Sequence, residues 1–258
     1  MIKGLIKSIR LEFNHMMEAK FSFLFYLIVP SIVVAIFASI TGSIALYPGM
    51  TVYQYFSTRI IALVLIFVTV QLTILRIIGE RAPYGTLDRD LLAISRSSMY
   101  FGKIIANSLF VLTQSILIYI TAFVIFKQGS VYANPLILIL LIFLVGLFGL
   151  ALGLTISIVS RNREQAIQMV PFAILIMLTL SDFFFVERFG VPENVKEIAS
   201  YSPLSISYKM IQTSTSDIYG FTDMVIGSFQ ENHFLKMVLL IGILLIIGLL
   251  WFNLEKRK

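Results

Sequence analysis

Side chains that commonly carry chemistry are few in this chain and lie far apart. His15 and His233 are the only two histidines among 258 residues, and there is no cysteine. We interpret both histidines as surface residues that share no metal site. No glycine-rich loop ends in Gly-Lys-Ser or Gly-Lys-Thr, so the chain is not expected to bind ATP phosphates itself. The sequence therefore predicts no catalytic centre, no metal and no cofactor within this chain.

Composition indicates the solvent in which the chain folds. Hydrophobic residues make up 58% of the chain and charged residues only 13%, about half the charged share of an ordinary soluble domain. Several apolar runs are long enough to cross a hydrocarbon core, which needs about 20 helical residues. The sequence thus predicts an all-α polytopic membrane protein in the cell membrane. The net charge of +6 fits basic residues gathered on one side of that membrane better than nucleic-acid binding.

The apolar runs predict six membrane helices within a single domain, 1–258. A helix over residues 1–20 precedes them, with apolar and basic residues on opposite sides, as in a helix that lies in the membrane surface. Ile2, Leu5, Ile6, Ile9, Phe13, Met16 and Met17 form the apolar side, and Lys3, Lys7, Arg10, Asn14 and Glu18 the polar side. The predicted spans are 21–46, 56–78, 104–126, 135–159, 165–180 and 235–254.

Polar residues inside the spans have two competing interpretations. Asn107 and Gln114 in the third span either line a substrate path or form hydrogen bonds between helices. Arg59 and Arg76 bracket the second span, and we expect both to reach the lipid headgroups. Pro30 is expected to kink the first span if a neighbour satisfies the carbonyl that it frees. In the fourth span, Gly146, Gly149 and Gly153 predict a smooth strip for close helix packing.

The segment 181–234 is too long for a simple loop and too polar to span the membrane. Its half-apolar pattern predicts short interfacial helices that re-enter the membrane where protein covers their ends. Asp182 begins this segment. We weigh two roles for it, a solvated end of the fifth span or part of an outer gate.

Lys and Arg counts predict the orientation of the spans. Fourteen of the 20 basic residues lie in the N-terminal segment, the 76–103 region, the turn after the fourth span and the C-terminus, and six lie on the other side. The positive-inside rule then places both termini in the cytoplasm. His15 and His233 should lie on opposite faces of the membrane.

The stretch 80–103 is a polar, charge-dense island between two apolar runs. Pro83-Tyr84-Gly85 predicts a turn, and a short helix follows with Thr86 or Asp88 as its cap. Leucines would give this helix one apolar face beside a charged one. The island is therefore expected to be a rigid cytoplasmic element that a soluble partner protein binds.

The island also carries a family resemblance. Glu80-Arg81, Gly85-Thr86-Leu87, Leu91-Leu92, Ser95-Arg96 and Gly102-Lys103 resemble, in order and spacing, the coupling segment of the membrane subunits of type-2 ABC exporters. Two later stretches agree, from Leu152-Gly153-Leu154 to Gln165-Ala166 and at Ser202-Pro203-Leu204. The chain departs from the family pattern at Ala93, Asp182 and Val186, where many members have Pro, Gly and Pro.

The resemblance implies a permease that dimerises with a second copy or a related subunit and works with separate nucleotide-binding ATPase subunits. Those partners would bind ATP and Mg²⁺, and the pair would move a drug, peptide or lipid-like substrate outward. It further implies two groups of functional residues. Glu80, Arg81, Gly85, Thr86, Leu87, Asp88, Leu91 and Leu92 would contact the ATPase, and Asp182, Phe184, Phe185 and Pro203 are the candidate outer gate.

Two other classes of protein are weighed against this one. An ATP-independent secondary carrier should show internal repeats and ionisable residues at the membrane midplane. Neither is evident, because no spaced pair of carboxylates lies within the spans. A membrane anchor or sensor would need neither kinked spans nor a re-entrant segment.

Overall fold

A computed structural model describes residues 2–18, 20–47, 50–81, 94–125, 135–160, 162–183, 192–215 and 233–254. The fold over these ranges is helical apart from a small hairpin, β1 and β2. The elements in chain order are α1 (Ile2–Glu18), α2 (Lys20–Thr41), β1 (Ala45–Tyr47), β2 (Met50–Thr51), α3 (Val52–Arg81), α4 (Arg96–Tyr119) with a π-helical extension (Ile120–Ile125), α5 (Pro135–Val159), α6 (Arg163–Thr179), α7 (Glu193–Ser200), α8 (Pro203–Thr215) and α9 (His233–Leu254).

Each of the six predicted spans overlaps one of the helices α2, α3, α4, α5, α6 and α9, and the bounds differ most at the end of α2 and at the start of α4. The helix α2 stops at Thr41, earlier than predicted, because the chain turns at Gly42 and enters the hairpin. The helix α4 starts at Arg96, about two turns before the predicted span, because Ser95 caps it by accepting a hydrogen bond from the Ser98 N–H at 3.4 Å. The polar residues at the start of α4 are therefore helical, whereas those after Thr41 are not.

Five helices are long and apolar enough to cross a membrane: α2, α3, α4, α5 and α9. The helix α6 is apolar but shorter, with 17 residues, which correspond to about 25 Å of helix. The described part of the chain is thus a polytopic helical membrane protein. Two short helices, α7 and α8, lie between α6 and α9 within the segment predicted to hold them.

The helix α3 is the centre of the bundle, with α2, α5, α6 and α8 packed around it. Its closest neighbour is α5, and the predicted glycine strip explains the contact. A Cβ added to Gly149 would lie 2.0 Å from the Thr69 hydroxyl, and one added to Gly153 would lie 3.0 Å from the Val70 carbonyl oxygen. Only hydrogen fits there, so the strip lets the two backbones approach, as predicted.

A side-chain hydrogen bond from Gln114 compensates for the backbone hydrogen bond that Pro30 removes from α2. Proline has no N–H, so the carbonyl of Tyr26, four residues earlier, loses its helical donor. The Gln114 amide of α4 donates a hydrogen bond to that carbonyl at 2.8 Å. Gln114 is fully buried, which supports the helix-contact interpretation of this residue. The same bond ties α2 to α4.

Four helices leave long apolar faces uncovered by the rest of the described chain, namely α2, α4, α6 and α9. Phe172 and Leu175 of α6 are 64% and 60% exposed, for example. Such faces require lipid or another protein chain as their neighbour. On α2 the uncovered residues are Phe21, Leu24, Phe25, Ile28, Ile32, Ile36 and Ile40.

Candidate functional site

A buried charged cluster lies at one end of the bundle, and we call it the Glu12 cluster. The Glu12 carboxylate of α1 pairs with the Arg76 guanidinium of α3 at 3.0 Å and with the Lys103 ammonium of α4. Arg76 also donates to the Asn107 side-chain oxygen and, at 3.3 Å, to the Glu12 carbonyl. The Glu12 cluster therefore joins three helices, α1, α3 and α4.

The charges of the Glu12 cluster are buried, which makes their pairing important for stability. Glu12 is 1% exposed and Lys103 is 2% exposed. A buried charge is costly unless a partner and further hydrogen bonds compensate it. Here one carboxylate faces two cations, and the Asn107 amide completes the network by donating to the Lys103 carbonyl at 2.8 Å. The three helices are held in a fixed arrangement as a result.

A stripe of small residues lets α1 lie against α4. Ser8 donates a hydrogen bond to the Met99 carbonyl at 3.4 Å, and a Cβ on Gly102 would lie 2.2 Å from the Ser8 hydroxyl oxygen. Gly4 lies one turn earlier in contact distance of Ser98. Gly4, Ser8 and Glu12 thus form a packing side of α1 between the apolar and polar sides that the sequence indicated.

The first turns of α4 also hold the C-terminal end of α9. Arg96 donates to the Phe252 carbonyl at 3.2 Å, one of the last four carbonyls of α9 that lack a helical partner. The Tyr100 hydroxyl donates to the Leu245 carbonyl at 2.9 Å. The N-terminal helix and the end of the last helix therefore meet the same turns of α4, at one end of the bundle.

The predicted ATPase contact adjoins this end. Glu80 and Arg81 are the last two residues of α3. The remaining predicted contact residues, Gly85, Thr86, Leu87, Asp88, Leu91 and Leu92, lie outside the described residues, as do the candidate gate residues Phe184 and Phe185. The coupling assignment stays a prediction.

A second polar cluster, the Asp182 cluster, lies at the opposite end of α3. Asp182 follows α6 and forms an ion pair with Lys209 of α8 at 2.9 Å. It also accepts hydrogen bonds from the Ser205 hydroxyl at 2.5 Å and from the Tyr208 hydroxyl. Pro203, the remaining candidate gate residue, starts α8. Asp182 is thus a bonded junction between α6 and α8.

Arg59 of α3 completes the Asp182 cluster. Its guanidinium donates to the Phe183 carbonyl at 3.0 Å and to the Tyr55 hydroxyl at 3.1 Å. It also lies 4.9 Å from the centroid of the Tyr208 ring, within cation–π range. The cluster therefore links α3 to both α6 and α8.

Charge and burial fix the protonation of this cluster. Burial raises the pKa of Asp182. The hydrogen bond and charge of Lys209, together with the hydroxyls of Ser205 and Tyr208, lower it by more than burial raises it, so the net pKa is below its ordinary value. Burial and the adjacent carboxylate raise the pKa of Tyr208. At neutral pH Asp182 is ionised and Tyr208 is neutral.

Three sequence interpretations are corrected by these contacts. Arg59 is 5% exposed and Arg76 is ion-paired, so both find protein partners where we expected headgroups. His233 is 6% exposed, so it is not a surface residue. Met16, assigned to the apolar side of α1, is buried within the protein.

Several cluster residues were missed in the sequence, above all Glu12 and Lys209. A signal for Glu12 was available, because Gly4, Ser8 and Glu12 recur every four residues and small residues at that spacing mark a packing side. Nothing in the local pattern marks Lys209. Within the described ranges no group of three His, Cys, Asp or Glu side chains is placed to hold a metal ion.

Fold and clusters together define a polytopic helical membrane protein whose central helix carries a charged junction near each end. A family model described as "ABC-2 family transporter protein" matches residues 46–254. The chain therefore belongs to the ABC-2 transporter family and is a membrane permease component. It has no significant match among curated proteins.

Proposed function

We propose that this chain is the six-span permease subunit of an ATP-binding cassette exporter and that separate ATPase subunits drive it. The observation that carries the proposal is the Glu12 cluster. It clamps α1, α3 and α4 together on both sides of the 82–93 connection, so a partner that pushes on this connection moves three helices as one body.

The central helix can carry that movement across the membrane. The helix α3 has 30 residues, and Arg59 and Arg76 stand 17 positions apart, which is about 25 Å along the axis. Displacement at the Arg76 end is therefore delivered to the Asp182 cluster. In this proposal ATP binding and hydrolysis in the partner shift the population between two arrangements of that outer junction.

The exposed side of α6 supports association with a second permease copy. Gln168 is exposed there on the same side as the large apolar side chains of Phe172 and Leu175. Polar side chains facing lipid are unfavourable, whereas a second chain or a substrate path would accommodate them. In this proposal α6 is the fifth of six spans. Six spans enclose little space alone, so the pathway is proposed to form between two subunits.

The two ends of the bundle are assigned to the two sides of the membrane by charge. The end that holds the Glu12 cluster is proposed to be cytoplasmic, because the positive-inside rule assigns to the cytoplasm the sequence segments with most Lys and Arg residues, and Arg76, Arg96 and Lys103 of those segments lie at this end. The chain then lies in the cell membrane with both termini in the cytoplasm. The Asp182 cluster faces outward, where a drug, peptide or lipid-like substrate is released.

Three variants test the coupling assignment, namely Glu80→Lys, Arg81→Glu and Gly85→Val. Each should leave the permease in the membrane while lowering ATP-driven efflux of a panel of fluorescent amphipathic compounds. Their purified complexes should still hydrolyse ATP, so that hydrolysis and efflux become uncoupled. Ser97→Ala, an exposed position on the first turn of α4, is the control and should behave as wild type.

Two results would contradict the proposal. Purification from native membranes without any nucleotide-binding partner would remove the exporter assignment. Unchanged efflux in all three variants, with a partner present, would remove the coupling segment while leaving the permease assignment in place.

A further inference from the structure

The helix α1 presents three sides of different composition, one packed against the protein and two exposed. The side of Gly4, Ser8 and Glu12 packs against α4 and α3, as described above. Ile6 and Phe13 lie on a second side and are 61% and 40% exposed. A third side, beside the second, carries three exposed cations and one exposed amide: Lys3, Lys7, Arg10 and Asn14.

Withdrawal of Glu12 into the protein leaves this third side uniformly positive. Glu12 is the only carboxylate among residues 2–17, and both of its cations belong to other helices, Arg76 and Lys103. The other carboxylate of α1, Glu18, is eight residues beyond Arg10, about 12 Å along the helix axis. Lys3, Lys7 and Arg10 therefore have no neutralising partner on their own helix surface.

The position of α1 sets what can reach these cations. The helix packs on the first turns of α4, which also bind the last turns of α3 and α9, so it lies at the level where the apolar spans end. Side chains at this level lie among lipid headgroups. A soluble acidic protein covering the cations would leave Ile6 and Phe13 in water, whereas a lipid covers both, with its acyl chain on the apolar side and its headgroup on the basic side.

We propose that Lys3, Lys7 and Arg10 form a binding surface for the headgroups of anionic phospholipids. The buried Glu12 ion pairs hold α1 in one orientation, so the three cations are presented to the membrane without a cost for ordering the helix. Each cation near an anionic surface strengthens binding about fivefold, so three cations provide up to roughly a hundredfold preference over a zwitterionic lipid. This inference does not depend on ATP coupling.

The cysteine-free sequence permits a direct test. A single Asn14→Cys substitution places a fluorophore beside the three cations in the full-length chain. The labelled protein is reconstituted into phosphatidylcholine vesicles that contain a small fraction of nitroxide-labelled phosphatidylglycerol or nitroxide-labelled phosphatidylcholine. Contact quenching then reports which lipid is enriched beside α1.

We expect stronger quenching by the phosphatidylglycerol probe, and equal quenching by the two probes in the triple variant K3Q/K7Q/R10Q. The charge-preserving variant K3R/K7R/R10K should keep the preference. The single variant K7Q should reduce it about fivefold. About 1 M salt, which shortens the screening length to roughly 3 Å, should abolish it. Unchanged quenching by the phosphatidylcholine probe in every variant shows that α1 has stayed in place.

Equal quenching by the two probes in the wild-type chain would overturn the inference, as would a preference that survives in K3Q/K7Q/R10Q. Loss of a co-purifying protein from the triple variant, with no lipid preference in wild type, would assign the basic side to a protein partner instead. Failure of the exporter assignment would leave all these results unchanged.

Discussion

Replacement of Glu12 by glutamine tests whether the Glu12 cluster holds the permease together. The substitution keeps the shape of the side chain but leaves Arg76 and Lys103 facing each other without a carboxylate. Because Glu12 and Lys103 are almost fully buried, water cannot replace the lost charge. Removing one partner of a buried ion pair costs about 3–5 kcal/mol, a large share of a total stability of about 5–15 kcal/mol.

The assay is unfolding of the purified full-length protein in mixed micelles, by heat and by titration with a denaturing detergent. At about 2–4 °C for each kcal/mol in a chain of this size, E12Q should lower the midpoint by roughly 6–20 °C. The matched control is E18Q, which removes an exposed carboxylate from the same helix and should change stability by no more than about 0.5 kcal/mol.

A double-mutant cycle separates the ion pair from other effects of the substitution. Lys103→Met removes one of the two cations that E12Q strands, so E12Q/K103M should be less destabilised than the sum of the single variants, by about 2 kcal/mol. Additive effects, or an E12Q midpoint equal to that of E18Q, would refute the reasoning that the buried charges clamp the three helices.

Three further predictions follow from other contacts. Gly149→Ala should lower stability by about 1–3 kcal/mol, because the new methyl group meets α3, whereas Gly242→Ala, with open space around it, should be tolerated. Gln114→Leu should cost about 1 kcal/mol less in a Pro30→Ala background than in wild type, because alanine restores the backbone donor. Asp182→Asn should destabilise the protein at neutral pH. The pKa of Asp182 is lowered in the folded state, so the carboxylate stabilises the protein above the unfolded pKa and this contribution is lost below the folded pKa. The stability difference between Asp182→Asn and wild type should therefore shrink as the pH falls below about 4.

Each of these has a result that would contradict it. Equal midpoints for the two glycine variants would mean that α3 and α5 are not in close backbone contact. An equal cost of Gln114→Leu in both backgrounds would mean that the amide does not serve the carbonyl freed by proline. A difference between Asp182→Asn and wild type that stays constant to acid pH would mean that the carboxylate charge does not contribute.

Helix positions were largely predictable because they depend on local composition. Apolar runs of the required length predicted the membrane helices, and the spacing of three glycines predicted close packing on α5 but not that α3 is the neighbour. The ends were less predictable. The helix α4 begins before its apolar run, at a capping serine, because helical backbone hydrogen bonds continue through polar residues that the apolar pattern does not include.

The sequence by itself determined the solvent, the order of the helices and the amphipathic character of α1, because hydrophobic periodicity reports the average environment of each residue. Only the tertiary structure decided which charges meet. Glu12 and Lys103 are 91 positions apart, and Arg59 and Phe183 are 124 apart. Such pairs depend on how each helix is rotated toward its neighbours, so Arg76, predicted to reach lipid, became half of a buried clamp on α1.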